Sequence, residues 1–176
     1  MKFICFIFFL IPVSLFAQSF SVDAVSGRIY YAEEVLVKDG PQFDLYIRAK
    51  AWFSSSGTHK FLSVDDIANG LLIGSNDALL SVANGNKIQT FRLWCTVKIE
   101  LEDDRYWYSL SDFKLQKELM KNGATAEETQ TKKQPLEKWV SKKSAAGNEQ
   151  LFYQALEAAA HTSIQALIKD LKVSML

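Results

Sequence analysis

The amino-acid sequence predicts an α+β domain: an antiparallel sheet, one helix after the first strand and a long helix near the C-terminal end. Three observations carry this. Phe91, Leu93, Cys95, Val97, Ile99 and Leu101 alternate with Arg92, Trp94, Thr96, Lys98 and Glu100, and a period of two marks a long strand with one face on a core. Phe152, Leu156, Ala160, Ile164, Leu167 and Leu171 recur every three or four residues, one continuous apolar seam along a helix. Phe43, Tyr46, Ile47, Ala49 and Phe53 repeat that helical spacing within 42–55, and Trp52 broadens the stripe.

The chain opens with Lys2, an almost unbroken apolar run from Phe3 to Phe16, and the small Ala17 before Gln18. That order is the grammar of a secretory signal peptide over residues 1–17, with cleavage expected after Ala17. The run is too short to cross a ~30 Å hydrocarbon layer comfortably, so no permanent membrane span is expected after cleavage. A periplasmic or secreted location is expected, the periplasm being preferred. Removing residues 1–17 from the 176 leaves 159, enough for one domain with a sizeable core. The 20 basic and 20 acidic residues balance, and a protein that neutralises phosphates carries a basic surplus, so a nucleic-acid partner is not indicated. Cys5 departs with the signal peptide, which leaves Cys95 unpaired and excludes a disulfide scaffold.

Residues 18–26 form a short polar lead. Arg28 to Val37 is β-rich. Lys38-Asp39-Gly40-Pro41 is a turn, with Pro41 placed to open the helix and Asp39 available to cap it. Gly57 lies in the break after the helix; Phe61–Val64 and Leu71–Ile73 read as short strands around Ala68-Asn69-Gly70. Ser75 to Thr90 is less regular, with a turn signal at Asn84-Gly85. After the long strand, Asp103-Asp104 sit at a two-residue hairpin position, and Arg105–Phe113 returns. That loop sets Glu102 against Arg105, Leu101 against Tyr106, Ile99 against Tyr108 and Val97 against Leu110, so the core-side pairs are apolar. Residues 114–148 are rich in Lys, Glu, Gln, Thr, Ser, Gly and Ala and read as a mobile, charged connector with an anchoring turn at Pro135–Trp139.

Gly27-Arg28-Ile29-Tyr30-Tyr31, Leu45-Tyr46-Ile47-Arg48-Ala49-Lys50-Ala51-Trp52-Phe53, Gly70-Leu71-Leu72-Ile73-Gly74 and Ser111-Asp112-Phe113 resemble a family of secreted bacterial domains of unknown function whose fold is described as like that of the TATA-box-binding protein. The resemblance covers about residues 27–115, and its most specific part is the Arg-Ala-Lys-x-Trp-Phe phrase. It implies a curved antiparallel sheet of five or six strands, helices on one side and the other side open, and a single domain over 27–176. It implies no activity, and a fold name does not carry DNA binding with it.

The hairpin register also defines the face opposite the core. There Trp94 is expected against Phe113, Thr96 against Ser111, Lys98 against Ser109 and Glu100 against Trp107. Large aromatic rings on an exposed sheet face mark interaction sites, so Trp94, Trp107 and Phe113, with Lys98 and Glu100 giving orientation, form the candidate binding face. The opposing reading has the connector or the C-terminal helix folded back over this face as a second small core. The residues leave both readings open.

Arg48 could grip an anion in a fork geometry, but a solvated helix flank with Trp52 and Phe53 packed on the sheet is the preferred reading. His59 lies in a loop and His161 on the last helix, without a nucleophile-elbow phrase, metal-ligand spacing or phosphate-cradling loop. Asp65-Asp66 and Glu102-Asp103-Asp104 lack the spacing of a calcium loop. Cys95 reads as an inert buried thiol. No catalytic residue, cofactor or metal is therefore expected. The expected function is a non-enzymatic binding or interaction module of the cell envelope, taking a protein, a peptide or an apolar ligand. An enzyme using His59 or His161 with carboxylates and a structural envelope component are the alternatives.

Overall fold

A long hairpin turning after Asn84 and a second one turning at Asp103-Asp104 together build the centre of the sheet. A computed structural model describes residues 20–55, 59–85, 87–118, 132–141 and 147–176; the signal-peptide reading of residues 1–17 lies outside them. The elements are β1 (Tyr31–Leu36), α1 (Gln42–Ser54), β2 (His59–Asp66), β3 (Leu71–Asn84), β4 (Lys87–Glu102), β5 (Arg105–Glu118), β6 (Gln134–Pro135), α2 (Glu137–Val140) and α3 (Asn148–Ser174). The strands pair in the order β1-β5-β4-β3-β2, every neighbour antiparallel, and β6 pairs with β5 beyond the end of β1. This is the α+β architecture expected: an antiparallel sheet with a helix after the first strand and a long C-terminal helix.

The hairpin register holds from the turn inward. Glu102 faces Arg105, Leu101 faces Tyr106, Ile99 faces Tyr108 and Val97 faces Leu110. All six apolar residues of that pairing beyond the turn are buried with Leu72, Phe91, Leu93 and Leu115. On the same side α3 buries Phe152, Leu156, Ala160, Ile164, Ile168 and Leu171. Ile168 is buried where the seam pointed to Leu167, which packs at the margin.

Several local expectations are corrected. Asp39 does not cap α1; it takes a left-handed turn conformation with φ 55. The free N–H of Gln42 donates instead to Asp103 Oδ1 at 2.8 Å, and that of Gly40 to Asp104 Oδ1 at 3.0 Å. The hairpin acids thus satisfy the start of α1 from outside, as helix N-termini require. The stretch read as irregular is β3, and the expected connector begins within a strand, because β5 continues to Glu118. Residues 134–141 of it form β6, α2 and a buried Leu136 whose N–H donates to Phe113 O at 2.9 Å.

Two glycines allow close approaches. A side chain at Gly74 would meet the Phe53 ring at 2.4 Å and Phe61 O at 2.5 Å, so the bare backbone lets Phe53 rest on the sheet. Gly70, at φ 59, leaves the space in which the Gln42 amide donates to Leu101 O at 2.8 Å.

Candidate functional site

Helices α1 and α3 and the residue Phe20 lie on one side of the sheet. Phe20 meets the His161 ring of α3 at 6.0 Å, and α1 reaches α3 through Trp52, whose indole N–H donates to Asp170 at 2.7 Å. The reading in which α3 covers the aromatic face is excluded by this placement. The opposite face carries Trp94, Thr96, Lys98 and Glu100 from β4, with Trp107, Ser109 and Ser111 from β5.

Trp107 stands opposite Glu100, Lys98 opposite Ser109 and Thr96 opposite Ser111, as the register predicts. The pairing then slips by one residue. Trp94 faces Lys114, because Asp112 and Phe113 together oppose Cys95. Asp112 takes φ 51, a conformation that Asp tolerates better than most residues, and the extra residue of such a bulge reverses the facing of the residues after it. Phe113 therefore turns to the helix side. It is 1% exposed there and meets Tyr31 edge-on at 6.0 Å. Phe113 is core, not part of the candidate face.

Trp94 is half-buried and sits beneath two cations: Lys133 Nζ lies 3.4 Å from its ring centroid and the Arg92 guanidinium 6.0 Å away. Lys133 belongs to the expected connector, so part of that segment does reach this face. Trp107 lies under the Arg105 guanidinium at 4.9 Å and walls a recess of about 550 Å³ with Glu100, Glu102, Ala68 and Asn69. The charges around Trp107, and Arg92 beside Trp94, are paired. Lys98 meets Glu100 at 2.9 Å, Arg105 meets Glu102 at 2.9 Å and Glu34 at 3.3 Å, and Arg92 holds both Asp77 and Glu118. Those two carboxylates raise the pKa of Arg92 further, Glu118 contributing most. The same face exposes Phe61 (69%), Leu79 (57%) and Val64 (37%). These three were not singled out from sequence, because the polar Ser75-Asn76-Asp77 run hides the alternation of β3 and a second bulge at Ser63 re-aims Val64.

Every residue of the Arg-Ala-Lys-x-Trp-Phe phrase has a structural contact. Arg48 donates to the carbonyls of Met175 and Leu176 at 2.9 and 3.0 Å. Lys50 binds Asp65 at 2.7 Å, and Asp65 also accepts from the Tyr46 hydroxyl; Lys50 and then Tyr46 hold the Asp65 carboxyl below its ordinary pKa. Ala49 is fully buried, Phe53 fills the space over Gly74, and Trp52 lies beneath the Lys60 ammonium at 4.1 Å. Lys50 bonds Asp65 yet stays on the solvated flank as expected, its side chain 46% exposed, whereas Arg48 is tied to the end of α3.

His59 lies at the open-face end of β2, facing Asp77, whose carboxylate is already held by Arg92. His161 lies on the other side of the sheet, so the two histidines do not come together. Asp66 bonds Asn69 within the β2–β3 turn. Among the described residues no group of three or more His, Cys, Asp or Glu is placed to hold a metal ion. Burial pushes the Cys95 thiol up to about 12.

Comparison with solved structures places this architecture. A TBP-like protein from Parabacteroides distasonis superposes with a TM-score of 0.57 at 14% identity, over 85% of this chain and 94% of that one. The fold is TBP-like. A DUF4468 family protein from Bacteroides ovatus gives a TM-score of 0.62 at 13% identity, over 92% of this chain and 91% of that one. No family model and no curated protein matches the sequence. At these identities the likeness carries the TBP-like fold alone, and function rests on the site.

Proposed function

We propose that this TBP-like chain is an exported, non-enzymatic binding module that works in the periplasm through the open face of its sheet. The observation that carries the reading is Trp107: an aromatic ring on the helix-free face, beside a recess, with its neighbouring charges already paired. Self-paired charges leave no strong field to attract an ionic ligand, and ring area supplies the adhesion. A broad sheet face suits a peptide or protein surface better than a small enclosed ligand. Lys98 and Glu100 lie across from Ser109 and Trp107 and give the partner its orientation. Export rests on the order of residues 1–17, and among the described residues no helix is long and apolar enough to cross a membrane.

The test is capture from bacterial envelope extract with the native chain and with a Trp107→Ala variant whose circular dichroism is unchanged. A protein or peptide held by the first and lost by the second supports the reading. Equal capture by both, or none by either, removes Trp107 from any binding role.

A further inference from the structure

β2 is an outer strand, with no strand beyond it among the described residues. Its sequence is His59-Lys60-Phe61-Leu62-Ser63-Val64-Asp65-Asp66. The bulge at Ser63 puts Leu62 and Val64 at successive positions, against Gly74 and Ile73. Facing therefore changes across it: His59, Phe61, Val64 and Asp66 all lie opposite open-face residues of β3, namely Asp77, Ser75, Ile73 and Leu71. Lys60 and Asp65 turn the other way, to Asp170 and Lys50 on the helices.

This has a consequence for symmetry. A regular strand meets a copy of itself about a two-fold axis normal to the sheet only by pairing residues an even number apart, since facing alternates. The bulge lets residues an odd number apart share a face. Antiparallel pairing of two β2 edges then sets Phe61 against the second copy's Val64 and His59 against the second copy's Asp66. Apolar meets apolar and an imidazole meets a carboxylate, at both symmetry-related places. A straight foreign strand would have to accommodate the bulge; a second copy carries the same one.

The helix side of this edge offers an independent observation. Phe43 and Ile47 are 59% and 49% exposed, although they belong to the apolar stripe of α1. They share a helix flank with Lys50, seven and three residues on, and Lys50 reaches Asp65 of β2 at 2.7 Å. That flank therefore lies on the helix side of β2. The axis that pairs the two strands brings the two α1 flanks together above them.

We propose that β2 and the Phe43–Ile47 flank of α1 form a self-association edge, through which two copies join their sheets into one. An axis normal to the sheet keeps both open faces on the same side, so the assembly presents a doubled face. Unsatisfied strand edges are otherwise an aggregation hazard, and closure by a two-fold removes this one.

Sedimentation equilibrium of the purified chain tests this. The expected result is a two-chain mass that falls to one chain on dilution. Phe61→Lys with Val64→Lys, both at exposed positions, is expected to give one chain at every concentration with an unchanged melting curve. Should that variant lose its fold, Phe43→Ser with Ile47→Ser probes the helix side, with dissociation at a concentration at least about tenfold higher. Oxidised Phe61→Cys with Val64→Cys is expected to link two chains, since directly opposed residues fall in the about 4.4–6.8 Å Cα range of a disulfide. A native chain of single mass at all concentrations, or a two-chain mass retained by the folded lysine variant, overturns the proposal. Neither result touches the open-face reading, which rests on Trp107.

Discussion

The indole N–H of Trp52, on α1, donates to the Asp170 carboxylate, on α3, at 2.7 Å. Lys60 of β2, with its side chain 1% exposed, binds the same carboxylate at 2.8 Å while lying over the Trp52 ring. One carboxylate thus ties together α1, α3 and the edge strand. Burial opposes its charge, but the Lys60 and Trp52 hydrogen bonds outweigh burial and leave its pKa below the ordinary value. Asp170→Ala is expected to destabilise by about 2 kcal/mol, because the buried Lys60 ammonium loses its charged partner and keeps only Ser55 Oγ, while the outer carboxylate surface was already solvated. Urea titration reads the loss; an unchanged midpoint would show that the tie is not needed.

Gly74→Ala is expected to cost about 2 kcal/mol or more, since the added methyl meets the Phe53 ring and a strand carbonyl that cannot yield. Phe53→Leu in the same chain is expected to recover part of it. Thermal melts of the single and double variants check this.

Glu33 links β1 to α3, accepting from Lys172 at 2.6 Å and from the Tyr108 hydroxyl at 2.8 Å. Lys172 and then Tyr108 lower its pKa from 4.5. A carboxylate lowered on folding stabilises above its unfolded pKa, and that increment disappears as pH falls through the folded value. Stability is therefore expected to be flat near neutrality and to decline below about pH 4.5. Glu33→Gln is expected to shrink that decline, measured as the difference between urea midpoints at pH 7 and pH 3.

Phe113 and Trp107 are expected to separate cleanly. Phe113→Ala removes a buried ring and costs about 3–5 kcal/mol. Trp107→Ala, on a half-exposed face, is expected to cost about 1 kcal/mol or less. Chemical denaturation of the two variants decides; equal losses would mean that Trp107 is also core.

The hairpin could be read from sequence as far as Thr96–Ser111 because its alternation has no interruption up to that pair. It failed at the next step because a bulge adds a residue without changing composition. The signal for it is a single residue, Asp112, whose left-handed backbone suits Asp. β3 stayed hidden because Asn76, on the core-facing side opposite Cys95, is polar and buried, and the Lys-Gln-Lys-Glu end of β5 mimics a linker. The resemblance reached the fold, yet its most specific phrase proved to hold α1 in place. Phe61 and Val64 needed the facing of β2, which the Ser63 bulge sets and no periodicity records.

The most direct test of the open-face account is photo-crosslinking in living cells from two positions. A benzophenone residue at Ser109 stands on the open face beside Lys98, and one at Thr162 stands on the exposed side of α3. The account predicts a crosslinked envelope partner from position 109 and none from position 162. Adducts from 162 alone, or no adduct from 109, would contradict it.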